Sequence, residues 1–233
     1  MQRPKPATGE IYHVYNRGVE KRKVFLQEQD YYRFVHDLFE FNDSEYTEKL
    51  YIPLSSRKPQ IPEVGLPEFH KRKLLVDILS FCLMPNHFHL MLHQRTDNGI
   101  TEFMRKLGTG YTNFFNKKYE RVGALFQGKY KAIHISKDHH LLYLPYYIHL
   151  NPLDMISHTW RDGTIKNIKQ AETYLGAYRW SSYLDYTGKK NFPSVIEKNF
   201  LVTLLGSPED YKKDMFEWIR EQGVEDIEEI ALE

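Results

Sequence analysis

Cysteine is almost absent: Cys82 stands alone among 233 residues, which excludes a disulfide within the chain and a multi-cysteine zinc site. Long apolar runs are missing too, and nothing approaches the roughly 20 residues that span a bilayer. The opening stretch Met1-Gln2-Arg3-Pro4-Lys5-Pro6 lacks the apolar segment of a signal peptide. Together these absences predict a cytoplasmic protein with no membrane partner. Net charge is also nearly absent, at +1, but the sum conceals a division. Residues 207 to 233 hold ten acidic and three basic side chains, a net of −7, so residues 1 to 206 carry +8. A basic body suits a polyanionic partner, while the acidic tail is either an ordinary solvated helix or a shield for that body.

What is present suffices for a core, since 41% of the residues are hydrophobic. Glu10 to Arg17 alternates and is rich in β-formers, which predicts a first strand. Tyr31, Phe34, Val35, Leu38 and Phe39 recur at helical spacing, so a helix is expected over 27–42. Residues 43–72 carry Pro53, Pro59, Pro62 and Pro67 without any period and read as a surface insertion. Leu74 to Leu83 is nearly continuous in apolar residues, as in a strand buried on both sides, and Pro85-Asn86 turns it into a second strand. Ile100, Phe103, Met104, Leu107, Tyr111, Phe114 and Phe115 share one face of a helix over 98–119, although Gly108 and Gly110 weaken it. Alternation over 128–136 predicts another strand, and a last helix begins near Lys137. The fold class is therefore α+β, a ferredoxin-like β-α-β-β-α-β antiparallel sheet with an additional C-terminal helix.

Chemistry concentrates in Met84-Pro85-Asn86-His87-Phe88-His89-Leu90-Met91-Leu92-His93. On a strand His87, His89, Met91 and His93 share one face, and two imidazoles two residues apart can converge on one divalent cation. The first face is expected to bind while Phe88, Leu90 and Leu92 bury the other. The plain alternative is a half-buried strand with polar residues turned outward. A second segment, Tyr146-Tyr147-Ile148-His149-Leu150-Asn151-Pro152, places Tyr147 and Asn151 four residues apart, on one side of a helix. Pro145 would kink or restart that helix, and Pro152 fits its end. A phenol attacks a phosphodiester poorly near neutral pH unless a cation offsets the developing charge. His87, His89 and the Asn151 amide oxygen would supply three ligands, with Tyr147 as nucleophile; the alternative for Tyr147 is a core aromatic. Between Thr101 and His140, eight basic residues outnumber three acids and interleave with seven aromatics, a mixture suited to single-stranded nucleic acid. A solvated basic helix edge is the other reading.

Five blocks, taken in order, resemble a known family: Tyr12-His13-Val14-Tyr15-Asn16-Arg17-Gly18, Met84 to Leu90, Leu125-Phe126-Gln127-Gly128-Lys129-Tyr130-Lys131, Tyr147 to Pro152, and Trp180-Ser181-Ser182-Tyr183. Together they resemble the HUH single-tyrosine transposases, especially the REP-associated branch. The resemblance implies metal-dependent nicking and strand transfer on single-stranded DNA at or near hairpins through a covalent 5′-phosphotyrosine. By matching positions, Tyr147 would be the nucleophile and His87, His89 and Asn151 the ligands of Mg²⁺ or Mn²⁺. Arg17, Arg105, Lys106, Lys117, Lys118, Arg121, Gln127, Lys129 and Lys131 are the candidate DNA contacts. The catalytic domain would span 1–187, with insertions near 43–72 and 157–176, and an acidic helical extension would occupy 188–233. Two other functions compete: a catalytically silent nucleic-acid binder on the same fold, and a zinc hydrolase using His87, His89 and either His93 or His149. A monomer and a homodimer both stay open.

Overall fold

Alternation along each strand gives the sheet two chemically different faces, and the rest of the chain divides between them. The computed structural model describes residues 5–45 and 72–221, together with Val224, Ile227 and Glu229. Strands β1 (Ile11–Arg17), β2 (Val76–Met84), β3 (His87–Gln94) and β4 (Lys131–His134) form one antiparallel sheet in the order β2-β3-β1-β4. Helix α1 (Glu28–Glu40) follows β1, α2 (Gly99–Lys118) follows β3, and α3 (Asp138–Leu150) follows β4. This is the expected ferredoxin-like arrangement with one further helix. The insertion read over 43–72 lies almost wholly outside the described residues.

One face packs on α1 and α2. Tyr12, Val14, Phe88, Leu90 and Leu92 meet Phe34, Leu38, Phe103, Leu107 and Tyr111 in a single apolar cluster. Gly110, unfavourable in a helix by propensity, sits where a Cβ atom would come within 2.5 Å of the Phe41 ring. Close approach of α2 to the end of α1 therefore needs glycine there.

The other face was expected to bind, and the additional helix expected to meet the histidines covers it. Helix α3 lies across it, and His89 and Met91 are fully buried. The physical reason is that residues 144–150 of α3 are as apolar as the strand they cover, so the two bury each other. Strand β2, buried on both sides, feeds this cluster through Leu79, Cys82 and Met84 and the first through Ile78, Phe81 and Leu83.

Local departures have local causes. Strand β4 is shorter than the 128–136 expected, because its pairing with β1 covers only Lys131 to His134 and Gly128 adopts a positive φ of 78°. Helix α3 runs through Pro145 and closes at Asn151, and Pro152 then opens a 3-10 turn, Asn151–Met155. Residues expected as a second insertion form the 3-10 turn His158–Asp162 and helix α4 (Ile168–Ala177). Beyond them come α5 (Tyr183–Tyr186), α6 (Asn199–Leu205) and α7 (Pro208–Glu221). Helix α7 carries the acidic residues outward and buries Tyr211, Met215, Phe216, Trp218 and Ile219 in the cluster that contains Tyr147.

Candidate active site

Strand β3 delivers His87 and His89 to the α3 face, with ring centroids 5.0 Å apart and planes nearly perpendicular. Each imidazole is held at its δ nitrogen. That of His87 lies 2.7 Å from Asn86 Oδ1, and that of His89 lies 2.9 Å from Nε2 of His13, a fully buried residue of β1. Imidazoles that bind metals are characteristically fixed at the other ring nitrogen in this way. Sequence reasoning missed His13. The alternation that puts His13 and His89 on one face was available, but the pairing of β1 with β3 was not.

Tyr147 and Asn151 arrive from α3. The Tyr147 ring stands edge-on to His89 at 5.6 Å and to His13 at 6.2 Å. Asn151 donates from Nδ2 to the Tyr147 carbonyl at 2.7 Å, a contact that the four-residue spacing makes possible. Both residues are fully buried, as is His89, whereas His87 is half-buried. A further residue, Arg161, joins them. Its Nη1 donates to the Tyr147 hydroxyl at 3.1 Å and its Nη2 to Asn151 Oδ1 at 3.3 Å. Burial works against the Arg161 charge, but Asp154 and Tyr147 beside it hold its pKa above the ordinary value. Nothing in sequence spacing marked Arg161, which sits in the stretch taken as an insertion.

The other histidines go elsewhere. His93 lies 2.9 Å from an Asp77 oxygen, and His149 bridges the Tyr211 and Ser182 hydroxyls at 2.5 and 2.7 Å. Among the described residues no group of three His, Cys, Asp or Glu side chains could hold a metal. A cation on the histidine pair would therefore need a donor of another type.

The candidate DNA contacts fall on two sides of the sheet. Arg17 pairs with His87 and Lys131 with Tyr15, so strand geometry puts both on the histidine face. Gln127 stands beside them, its backbone N–H donating to the Arg17 carbonyl, and Lys129 is exposed nearby in sequence. The remaining candidates belong to α2 and the turn after it, behind the sheet. Arg105 and Lys117 are exposed there. Lys106 binds Glu102 and the Asp43 carbonyl, Lys118 binds the buried Asp30, and Arg121 binds Asn116. These three already have partners within the chain.

No curated protein matches the chain in sequence. Among solved structures, that of a REP-associated tyrosine transposase bound to a REP hairpin is similar at a TM-score of 0.49 and 12% identity, over 85% of this chain and 92% of that one. Among the described residues no helix is long and apolar enough to cross a membrane. Residues 67–151 match the family described as transposase IS200 like, a stretch that includes the histidine strand and ends at Asn151.

Proposed function

We propose that this protein nicks single-stranded DNA at or near hairpins and transfers the strand through a 5′-phosphotyrosine on Tyr147. His87, His89 and Asn151 would hold Mg²⁺ or Mn²⁺. One observation carries the reading: a tyrosine and a histidine 58 residues apart in sequence meet with ring centroids 5.6 Å apart.

Two imidazoles fixed at their δ nitrogens are donors of the kind a divalent cation takes, and the Asn151 carboxamide oxygen, which here accepts from Arg161, would complete the set. With His89 neutral and its ε nitrogen kept as a lone-pair donor, its δ N–H is donated to His13. When bound, such a cation draws charge from the non-bridging phosphate oxygens. The chain's own residues do the rest. Tyr147 supplies the attacking oxygen, and Asn151 ties its carboxamide to the backbone of the nucleophile. Arg17 and Lys131 present positive charge on the same face for the flanking phosphates.

The complete burial of Tyr147, His89 and Asn151 favours a second reading, a nucleic-acid binder that does not cut. A denaturing gel separates the two. Purified protein with labelled hairpin DNA and Mn²⁺ should give a covalent protein–DNA band that disappears in Tyr147→Phe and with chelator. Persistence of the band in Tyr147→Phe removes Tyr147 as the nucleophile, and tight binding with no band in the unaltered protein establishes the silent binder.

A further inference from the structure

We propose that Arg161 is a further catalytic residue, which holds the Tyr147 hydroxyl in place for attack and offsets the negative charge that gathers on its oxygen. The inference rests on Tyr147 being the nucleophile. Its geometric basis is that one guanidinium serves both atoms the reaction would use, donating to the Tyr147 hydroxyl at 3.1 Å and to Asn151 Oδ1 at 3.3 Å.

The guanidinium is itself fixed in direction. Its Nε and Nη2 donate to the two oxygens of Asp154 at 3.2 and 2.6 Å, and Asp154 also accepts the Trp160 indole N–H at 2.6 Å. The group lies 4.8 Å from the Trp160 ring centroid and 5.4 Å from that of Tyr147. A carboxylate gripped through two nitrogens sets the guanidinium plane, and the aromatic rings limit its tilt.

Comparison with other buried tyrosines argues against simple packing. Tyr111 donates its hydroxyl to the Val24 carbonyl at 2.6 Å, and Tyr186 donates to the Leu79 carbonyl at 2.6 Å. Those bonds stabilise a neutral phenol. The Tyr147 hydroxyl accepts an N–H from a cation, an arrangement that favours negative charge on the phenol oxygen. In the step itself, the Tyr147 oxygen gives its proton to water and forms the bond to phosphorus. The bond from phosphorus to the 3′ oxygen breaks, and that oxygen takes a proton from water. Rejoining reverses both changes, with the tyrosine oxygen as leaving group and Arg161 again beside it.

The test uses the full chain, Mn²⁺ and a pool of labelled single-stranded DNA hairpins with randomised flanks, and follows the rate of covalent adduct formation. Removing one preorganised donor from a developing anion typically slows reaction about 100-fold or more, which is the loss expected for Arg161→Ala. Arg161→Lys should retain an intermediate rate and melt close to the parent protein, Arg161→Ala should melt lower because Asp154 and Asn151 lose a partner, and both variants should still bind DNA. Millimolar guanidinium should restore part of the rate to Arg161→Ala and none to Tyr147→Phe, an effect that a merely structural arginine would not produce. An unchanged or increased rate in Arg161→Ala overturns the proposal, as does a loss that neither lysine nor guanidinium repairs. Absence of adduct in the parent protein overturns the nucleophile assignment as well, so the two failures are told apart.

Discussion

On one face of the sheet, α1 and α2 come from chain that directly continues the strands and lay apolar stripes on Phe88, Leu90 and Leu92. On the other, α3 and α7 come from beyond the last strand and bring polar groups into the middle of the interface. Buried on that second face are His13, His89, His149 and Asn151, each hydrogen-bonded to a partner from another part of the chain or from its own helix. A buried polar group adds little net stability even when bonded and costs much when its partner is lost. The α1–α2 face meets the sheet through apolar stripes and keeps its buried carboxylates, Asp30 and Asp37, within α1, while the α3 face accepts polar groups in the middle of its interface. The candidate site lies where that cost is concentrated.

The basic residues repeat the contrast. Behind the sheet Lys118 neutralises Asp30, a fully buried carboxylate that also accepts from Tyr119 and from the backbone of Leu26 and Gln27. On the histidine face Arg17 and Lys131 stand at the strand ends, where a phosphate backbone can reach them.

Three sets of variants would break or sharpen this comparison. The largest effect is expected from the histidine pair: His87→Ala and His89→Ala should each slow covalent adduct formation at least about 100-fold, beyond the range seen for loss of outer-shell partners. Only His89→Ala should also lower the melting temperature clearly, because it is the fully buried member. Equal melting of the two would undo the contrast between the buried and the half-buried histidine.

Next is Lys118→Met, which strands the Asp30 carboxylate and should cost about 3 kcal/mol in urea unfolding. Its affinity for hairpin DNA should stay close to that of the parent. Arg17→Ala with Lys131→Ala should do the opposite, leaving stability unchanged and reducing the salt dependence of binding by about one phosphate contact each. A loss of DNA affinity in Lys118→Met at full stability would move the DNA surface behind the sheet.

The smallest effect concerns acid. Burial pushes His149 down to about 3 from an ordinary 6.5, so between those values the unfolded chain binds a proton that the folded chain refuses. Stability should therefore fall as pH drops below 6.5, by at most about 1.4 kcal/mol per pH unit from this group. Thermal melts between pH 7 and 5 should show the decline, and His149→Gln should flatten it. An unchanged slope in that variant would place the acid sensitivity elsewhere.

How much of this was legible beforehand depended on distance along the chain. The β1 alternation, the α1 and α2 stripes and the Pro85-Asn86 turn are short-range patterns, and each became the element it implied. Helix α3 was legible in place and in its Tyr147–Asn151 spacing, and it runs straight through the proline that put it in doubt. His13 and Arg161 were not legible as members of the site. His13 reaches His89 only through strand pairing, and Arg161 reaches Tyr147 only because the turn after Asn151 folds the chain back. How deeply that helix would bury His89 was not legible for a related reason, since alternation says which side a residue takes and not how closely it will be covered.

By itself, then, the order of amino acids determined the four strands, their sidedness, the paired imidazoles and a tyrosine one helical turn from an asparagine, because strand and helix periods act over a few residues. Only the tertiary structure decided that these groups meet, that α3 buries His89 while His87 stays half-buried, and that a guanidinium from the turn beyond α3 grips the phenol. Those outcomes come from the docking of apolar surfaces far apart in sequence, and no local period carries that information.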